Sequence, residues 1–247
     1  MRVTFFGCGD GFSVQQGHNS VLLEFEQTNL AIDFPESNHN GLHLMGRQLN
    51  EIENLFITHL HEDHINGVQK LALYHRVYPG KAKPKLYVPV GLQEDLWQIL
   101  RHGLERTTRG TLAFHDYFEI VCVENEFTIA GIRFEMVPTL HIPGMLSYGL
   151  LCKPYFYFSG DTRLDERFIQ DIADDVQMIY HECHMQEDQL LSHTSLGEIL
   201  TLPGTIQEKM VLMHYVDDYL STDLREQFHK EYKVRLAQPL VGYESRD

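Results

Sequence analysis

"FITHLHEDHINGV", residues 56–68, places His59, His61, Glu62, Asp63 and His64 within six positions, directly after an apolar run. So many imidazoles and carboxylates are costly to bury, and a plain surface loop has no use for them. Neutral imidazole and carboxylate together form the donor set of zinc-like metals. His59 and His61 are two apart, so an extended chain sets both on one side. Asp63 and His64 fall on the turn into the next helix, where they can face a second point. This is not the HExxH spacing of a zinc-protease helix, because the histidines around Glu62 and Asp63 are three apart on a strand-to-helix loop.

Working outward, other apolar runs end the same way. "PYFYFSGD" (154–161) ends on Asp161, "VQMIYHE" on His181 and Glu182, and "KMVLMHY" (209–215) reaches His214. "MVPTLH" reaches His141 through a short turn. Strand ends that converge can set ligands around one point more rigidly than loops can. One ion cannot accept all of these donors, but two can. The allocation expected is His59, His61 and His141 on the first ion, Asp63, His64 and His214 on the second, and Asp161 bridging. Each ion then keeps an open position for a shared water.

The remaining pattern is α/β. "RVTFFG", "SVLLEFE" and "LAIDF" read as strands, the last two joined by a turn at Gln27, Thr28 and Asn29. "INGVQKLALYH" and "GLQEDLWQILRHGL" have helical spacing, with the strand "KLYVP" between them. "FEIVCVE", "FTIAGIRFEMVPT", "YGLLC" and a final "RLAQPLVGY" read as strands. Ser195 and Glu198 form a capping box for one helix, and Asp223 with Glu226 marks the start of another. No linker or repeat divides residues 1–247, so one domain is expected.

A net charge of −15 argues against a protein that binds by neutralising many phosphates. The basic residues are uneven, with Arg76, Lys81, Lys83, Lys85, Arg101, Arg106 and Arg109 in one stretch. That stretch, with Tyr74, Tyr78, Tyr87 and Trp97, could offer a nucleotide a stacking face and a positive rim. The four cysteines form no CxxC pair, which fits a reducing, cytoplasmic setting. "MRVTFFGCGDGF" lacks a cleavable apolar region, and no run is long enough to span a membrane.

"THLHEDH" resembles the HxHxDH motif of the metallo-β-lactamase fold. His141, the Asp161 of "SGDT" and the His214 of "LMHY" follow in that family's order. The resemblance covers nearly the whole chain. It implies an αββα sandwich with a dinuclear metal site at the sheet edges. Histidine at position 61, where the di-iron branch carries Glu, implies a hydrolytic zinc pair, with Mn2+ or Fe2+ as alternatives.

"YHECHM" (180–185) and "SHTSLGE" (192–198) resemble the "HEAT" and "HST" motifs of the RNase Z branch, although Cys183 and His184 replace Ala-Thr. Carried over, Glu182 would orient or charge His193, and His193 would protonate a departing alkoxide. The catalytic set implied is Asp63, Glu182 and His193, while Cys183 and His184 read as structural. Only residues 142–160 separate His141 from Asp161, too few for the tRNA-gripping arm of RNase Z. Compact, armless relatives include the anti-Pycsar family, which the chain resembles in length and in its "VTFFGCGDGF" start. That likeness implies hydrolysis of cyclic mononucleotides such as cCMP, cUMP, cAMP or cGMP to 5′-monophosphates, removing an antiviral signal. It also implies a homodimer whose partner completes the site, with the basic stretch 76–109 and its aromatics Tyr74, Tyr78, Tyr87 and Trp97 as candidates to reach across, and with no stable nucleic-acid or membrane partner. A tRNA 3′-endonuclease and a lactonase or other ester hydrolase are the alternatives.

Overall fold

A computed structural model describes residues 1–78, 82–185 and 190–244. The first half runs β1 (Arg2–Gly7), β2 (Ser20–Glu24), β3 (Asn29–Ile32), α1 (Asn38–Leu44), β4 (Asn54–Phe56), α2 (Glu62–Ile65), α3 (Val68–Val77) and β5 (Lys85–Pro89). It continues through α4 (Gln93–Leu104), a small hairpin of β6 (Arg106–Thr107) and β7 (Gly110–Thr111), α5 (Phe114–Tyr117) and β8 (Glu119–Val123). The second half runs β9 (Glu126–Ile129), β10 (Ile132–Pro138), β11 (Tyr148–Cys152), β12 (Phe156–Phe158), α6 (Glu166–Ile172), β13 (Met178–Glu182), α7 (Leu196–Thr201) and α8 (Gly204–Gln207). β14 (Met210–Met213), α9 (Thr222–Tyr232), β15 (Arg235–Leu236) and β16 (Gly242–Glu244) complete it.

Two sheets form, in the orders β16-β1-β2-β3-β4-β5-β8 and β15-β14-β13-β12-β11-β10-β9. In the first, β1 to β3 are antiparallel and β3, β4, β5 and β8 are parallel. In the second, β9 to β12 are antiparallel and β12 to β15 are parallel. The sheets meet through aromatic rings: Phe5 of β1 lies 5.5 Å from Tyr180 of β13, and Phe56 of β4 stacks on Phe127 of β9 at 5.5 Å. Neighbouring residues on the same strands, Phe6, Leu22 and Leu55, pack instead in a second core with Leu71 of α3 and Leu96 and Leu100 of α4. Both faces of these strands are therefore covered. That is why they read as continuous apolar runs and not as alternation. The result is the αββα sandwich of the metallo-β-lactamase fold.

Three local expectations change. The single strand read across "FTIAGIRFEMVPT" is the β9–β10 hairpin. Ala130 and Gly131 turn it with φ of 51° and 79°, the left-handed pair that suits strand twist. "RLAQPLVGY" also divides, because β15 joins β14 in the second sheet and β16 crosses to pair with β1 in the first. The cap of α9 is Ser221, whose hydroxyl accepts the Leu224 N–H, and Asp223 lies inside the helix. The Ser195–Glu198 box is present in both directions, at 2.9 and 3.2 Å. Residues 142–160 hold one turn and the β11–β12 pair. Among the described residues no helix is long and apolar enough to cross a membrane.

Candidate metal centre

In open α/β sheets, ligands gather outside the carboxyl ends of parallel strands. Here both sheets send such ends to one place. Asp33 follows β3, His59 follows β4, Asp161 follows β12, Glu182 ends β13 and His214 follows β14. Gly160, at φ 58°, turns the chain just before Asp161, where a Cβ would come within 2.8 Å of the Tyr148 carbonyl. Asp33 and His214 also have left-handed backbone, at φ 59° each. Such strain concentrates at sites that the surrounding fold over-determines.

The expected donors come together. His59, His61, His141 and Asp161 form one group with ligand atoms within 4.8 Å of one another, and Asp63, His64 and His214 form another. Asp161 lies between them. Its Oδ2 is 3.7 Å from His59 Nε2 and 3.9 Å from His141 Nε2, while its Oδ1 is 3.5 Å from His64 Nε2. His214 Nε2 is 3.5 Å from both Asp63 and Asp161.

The outward-facing nitrogens are set from behind. Asp33 Oδ2 accepts His64 Nδ1–H at 2.7 Å and the Thr58 hydroxyl at 2.7 Å, and its Oδ1 accepts the Thr58 N–H at 2.8 Å. The Thr58 oxygen in turn takes His59 Nδ1–H at 3.0 Å. The Ser192 carbonyl accepts His141 Nδ1–H at 2.8 Å. These bonds leave the Nε2 lone pairs aimed inward, the arrangement that metal-binding histidines use. His59 Nε2, His64 Nε2, both ring nitrogens of His214 and Asp161 Oδ1 are buried with no hydrogen-bond partner. Buried orphans of this kind are expensive, and a pair of cations would satisfy them.

The electrostatics agree. Burial, with His64 alongside, pushes His59 well below the usual imidazole range, so it is neutral and able to ligate. Burial likewise lowers His61 and His141. Burial opposes charge on Asp161 as well, but His214 and His64 outweigh it and hold that carboxyl well below its usual range. Asp63 is held down by His214 and His64 against the same penalty. In return Asp161 and Asp63 lift His214 to about 9 despite its burial, and Asp161 and Asp33 lift His64. The carboxylates thus demand positive charge where the second donor group lies. The residues fit a dinuclear cation site.

Beside the donors, His193 Nδ1–H points to Glu182 Oε1 at 2.9 Å. Glu182 is fully buried and also accepts the Thr162 and Thr194 N–H groups at 2.8 and 3.4 Å. Burial first, then Asp161, raises its pKa well above normal, and burial lowers that of His193. Each shift reflects foremost the cost of burying one charge by itself. His193 also stacks on His214, 5.3 Å between centroids. A cavity of about 520 Å3 opens over the centre, lined by His61, Asp63, Asp161, His193 and His214, and by Asp10, Gly11, Phe12, Leu190 and Val216.

Some expectations fall elsewhere. His184, read as structural, lines this cavity. Cys183 is fully buried in the core. Among the described residues, no basic side chain of the 76–109 stretch lines this cavity within its own chain, and Lys83 and Lys85 stand at the amino end of β5. Trp97 stacks on Phe114 at 5.2 Å, Tyr87 is 7% exposed in the core, and Tyr74 packs on Tyr78. Lys81 lies outside the described residues. Sequence reading leaves out Asp33, although "LAID" shows the common signature, an apolar run ending on a carboxylate. Asp33→Ala would orphan the Thr58 N–H and free the His64 ring. It should cost about 3 kcal/mol of stability and weaken metal binding about 10–100-fold. Denaturant titration and metal titration of the dialysed protein measure the two effects.

An αββα sandwich with paired imidazole–carboxylate groups at its sheet edges defines a protein of the metallo-β-lactamase fold with a candidate dinuclear cation site. The chain aligns over 98–100% of its length with three solved structures at 16–18% identity, which shows the shared fold. These are YhfI from Bacillus subtilis (TM-score 0.76, 99% of that chain), a diphosphatase of the PhnP family (0.74, 97%) and short-form human tRNase Z (0.70, 100%). The family model for "Anti-Pycsar protein Apyc1" matches residues 1–235. Among curated relatives, Anti-Pycsar protein Apyc1 of Paenibacillus harenae is 34% identical, covering 88% of this chain and 90% of its own. That of Bacillus phage BSP38 is 32% identical, covering 96% and 95%.

The chain belongs to the Anti-Pycsar protein Apyc1 family. Family and metal-binding cluster together support the role of a metal-dependent phosphodiesterase that degrades cyclic nucleotides.

Proposed function

We propose that the protein, as one hydrolase domain, opens cyclic mononucleotides to nucleoside 5′-monophosphates at a dizinc centre. His59, His61 and His141 would hold one ion, Asp63, His64 and His214 the other, and Asp161 both. Bound there, the ions would supply charge to neutralise the phosphodiester and lower the pKa of water. The chain's own part is general acid catalysis. Glu182 holds His193 Nδ1–H and favours the imidazolium form, whose Nε2–H can then protonate O3′ as the P–O3′ bond breaks. The observation that carries this reading is the 2.9 Å Glu182–His193 pair beside the donor groups. A ribose alkoxide leaves poorly without such an acid, whereas a lactonase has less need of one. A net charge of −15 and the short span 142–160 support a small substrate over tRNA.

Val14 and Leu191, 87% and 84% exposed, are neighbours in sequence of the cavity-lining Phe12 and Leu190, and they support a homodimer that covers the site. The four free cysteines fit a reducing cytoplasm, where the activity would remove an antiviral nucleotide signal.

The test is a panel of 3′,5′- and 2′,3′-cyclic mononucleotides, bis(p-nitrophenyl) phosphate, a lactone and a pre-tRNA, with a His59→Ala/Asp63→Ala variant as control. The expected result is conversion of 3′,5′-cyclic nucleotides to 5′-monophosphates, lost in the variant, by a protein that sediments as a dimer. Turnover of the lactone or pre-tRNA with every cyclic nucleotide untouched would overturn the reading.

A further inference from the structure

We infer that Phe12 is the stacking platform for the substrate's base, held ready by a closed loop over residues 9–17. This rests on the cyclic-nucleotide reading of the site and specifies how that substrate is gripped.

Phe12 is 94% exposed, yet it lines the cavity above the metal centre. It is the one Phe, Tyr or Trp in that lining among the described residues. Its place is set by Gly11, which lies so close to Asp63 that a Cβ would come within 3.0 Å of Oδ2. The residue that precedes Phe12 is therefore packed against a donor of the second group. A phosphodiester held at the centre leaves the rest of a cavity of about 520 Å3 for ribose and base, and Phe12 is on its wall.

The loop is tied down well beyond what a mobile tip requires. Gly9 N–H donates to the Gly17 carbonyl at 2.8 Å and closes the base. Asp10 Oδ1 accepts the Phe12 N–H at 3.1 Å and the Ser13 hydroxyl at 2.8 Å. The Asp217 carboxylate accepts three consecutive N–H groups, from Val14, Gln15 and Gln16, at 2.7, 3.0 and 3.1 Å. The buried Gln16 side chain donates to the Val216 carbonyl at 2.9 Å and accepts Arg225 at 3.0 Å. Most of these anchors lie just after His214, so loop and metal centre share one support. A preorganised ring costs little further ordering when a ligand arrives. A phenyl face also stacks on any base, so base discrimination should be weak.

The experiment compares wild type, Phe12→Ala and Phe12→Trp for steady-state hydrolysis of cCMP, cUMP, cAMP and cGMP, with sedimentation and thermal melting of each. A ring this exposed should be replaceable without unfolding. Phe12→Ala is expected to raise KM about 10–100-fold for every base, with kcat within about threefold and sedimentation unchanged. Phe12→Trp should keep KM near wild type. Unchanged KM in Phe12→Ala overturns the platform while leaving the cyclic-nucleotide reading in place. So does a shift to a smaller species, which would make the ring an interface contact. A wild type inert to all four nucleotides overturns both readings.

Discussion

Asp161→Ala is expected to abolish turnover, lowering kcat/KM by roughly 10³-fold or more, and to empty both metal positions. The geometry gives the reason. One carboxylate faces four imidazoles: Oδ2 lies 3.5–3.9 Å from Nε2 of His59, His141 and His214, and Oδ1 lies 3.5 Å from that of His64. Both donor groups would lose their shared ligand at once. The rings that remain are buried and mostly pinned from behind by Thr58, Asp33 and the Ser192 carbonyl, so they cannot turn to replace it. The charge balance fails too. Asp161 is the leading influence raising His64 and His214 against burial, and without it the two buried rings are left with Asp33, Asp63 and Glu182. Metal analysis after dialysis should fall from two ions per chain to below one. Wild-type protein should lose melting temperature on chelation, because ions that bind only the native state stabilise it. The variant should melt alike with and without chelator. Asp161→Asn, which keeps the volume but not the charge, should resemble Ala in activity. A variant that retains two ions and activity within tenfold of wild type would mean that Asp161 does not bridge.

The clustering of these imidazoles and carboxylates was legible in the chain because their chemistry is local. Each donor stands at the end of an apolar run, and "THLHEDH" holds four of them within six positions. The fold followed from the same runs, since strands covered on both faces carry unbroken apolar sequence. What the chain hid was long-range or conformational. Asp33 shares the strand-end signature, but its worth comes from meeting His64 and Thr58 across 31 and 25 positions. The break at Ala130 and Gly131 is an apolar–Gly pair inside an apolar stretch, and only the left-handed backbone separates it from a continuous strand. The basic stretch gave charge without direction: none of its described residues lines its own chain's cavity, and a role in a partner's site would depend on the dimer. Phe12 gave no signal either, since an isolated aromatic in a glycine-rich turn reads equally well as core.

His193→Ala should separate two substrates that share a metal centre. With a cyclic nucleotide the departing group is a ribose alkoxide, which needs a proton as the P–O3′ bond breaks. Loss of the acid should lower kcat by about 10²–10⁴. With bis(p-nitrophenyl) phosphate the departing phenolate is stable unprotonated, and the loss should stay under about tenfold on the same reasoning. Glu182→Gln is the companion variant. Its amide oxygen, placed at Oε1, can still accept His193 Nδ1–H and the Thr162 N–H, leaving only the longer Thr194 contact without an acceptor, whereas Glu182→Ala would strand all three donors. It removes the charge that favours a protonated imidazole, so its loss should run in the same direction and be smaller, and again be specific to the alkoxide substrate. Metal content should stay at two ions per chain in both variants. That control matters because His193 also falls in a group with Asp161 and His214 whose ligand atoms lie within 4.8 Å. Equal losses on the two substrates, with an ion missing, would make His193 a metal ligand instead of an acid. The Glu182 hydrogen bond would then orient a donor, as Asp33 does for His64.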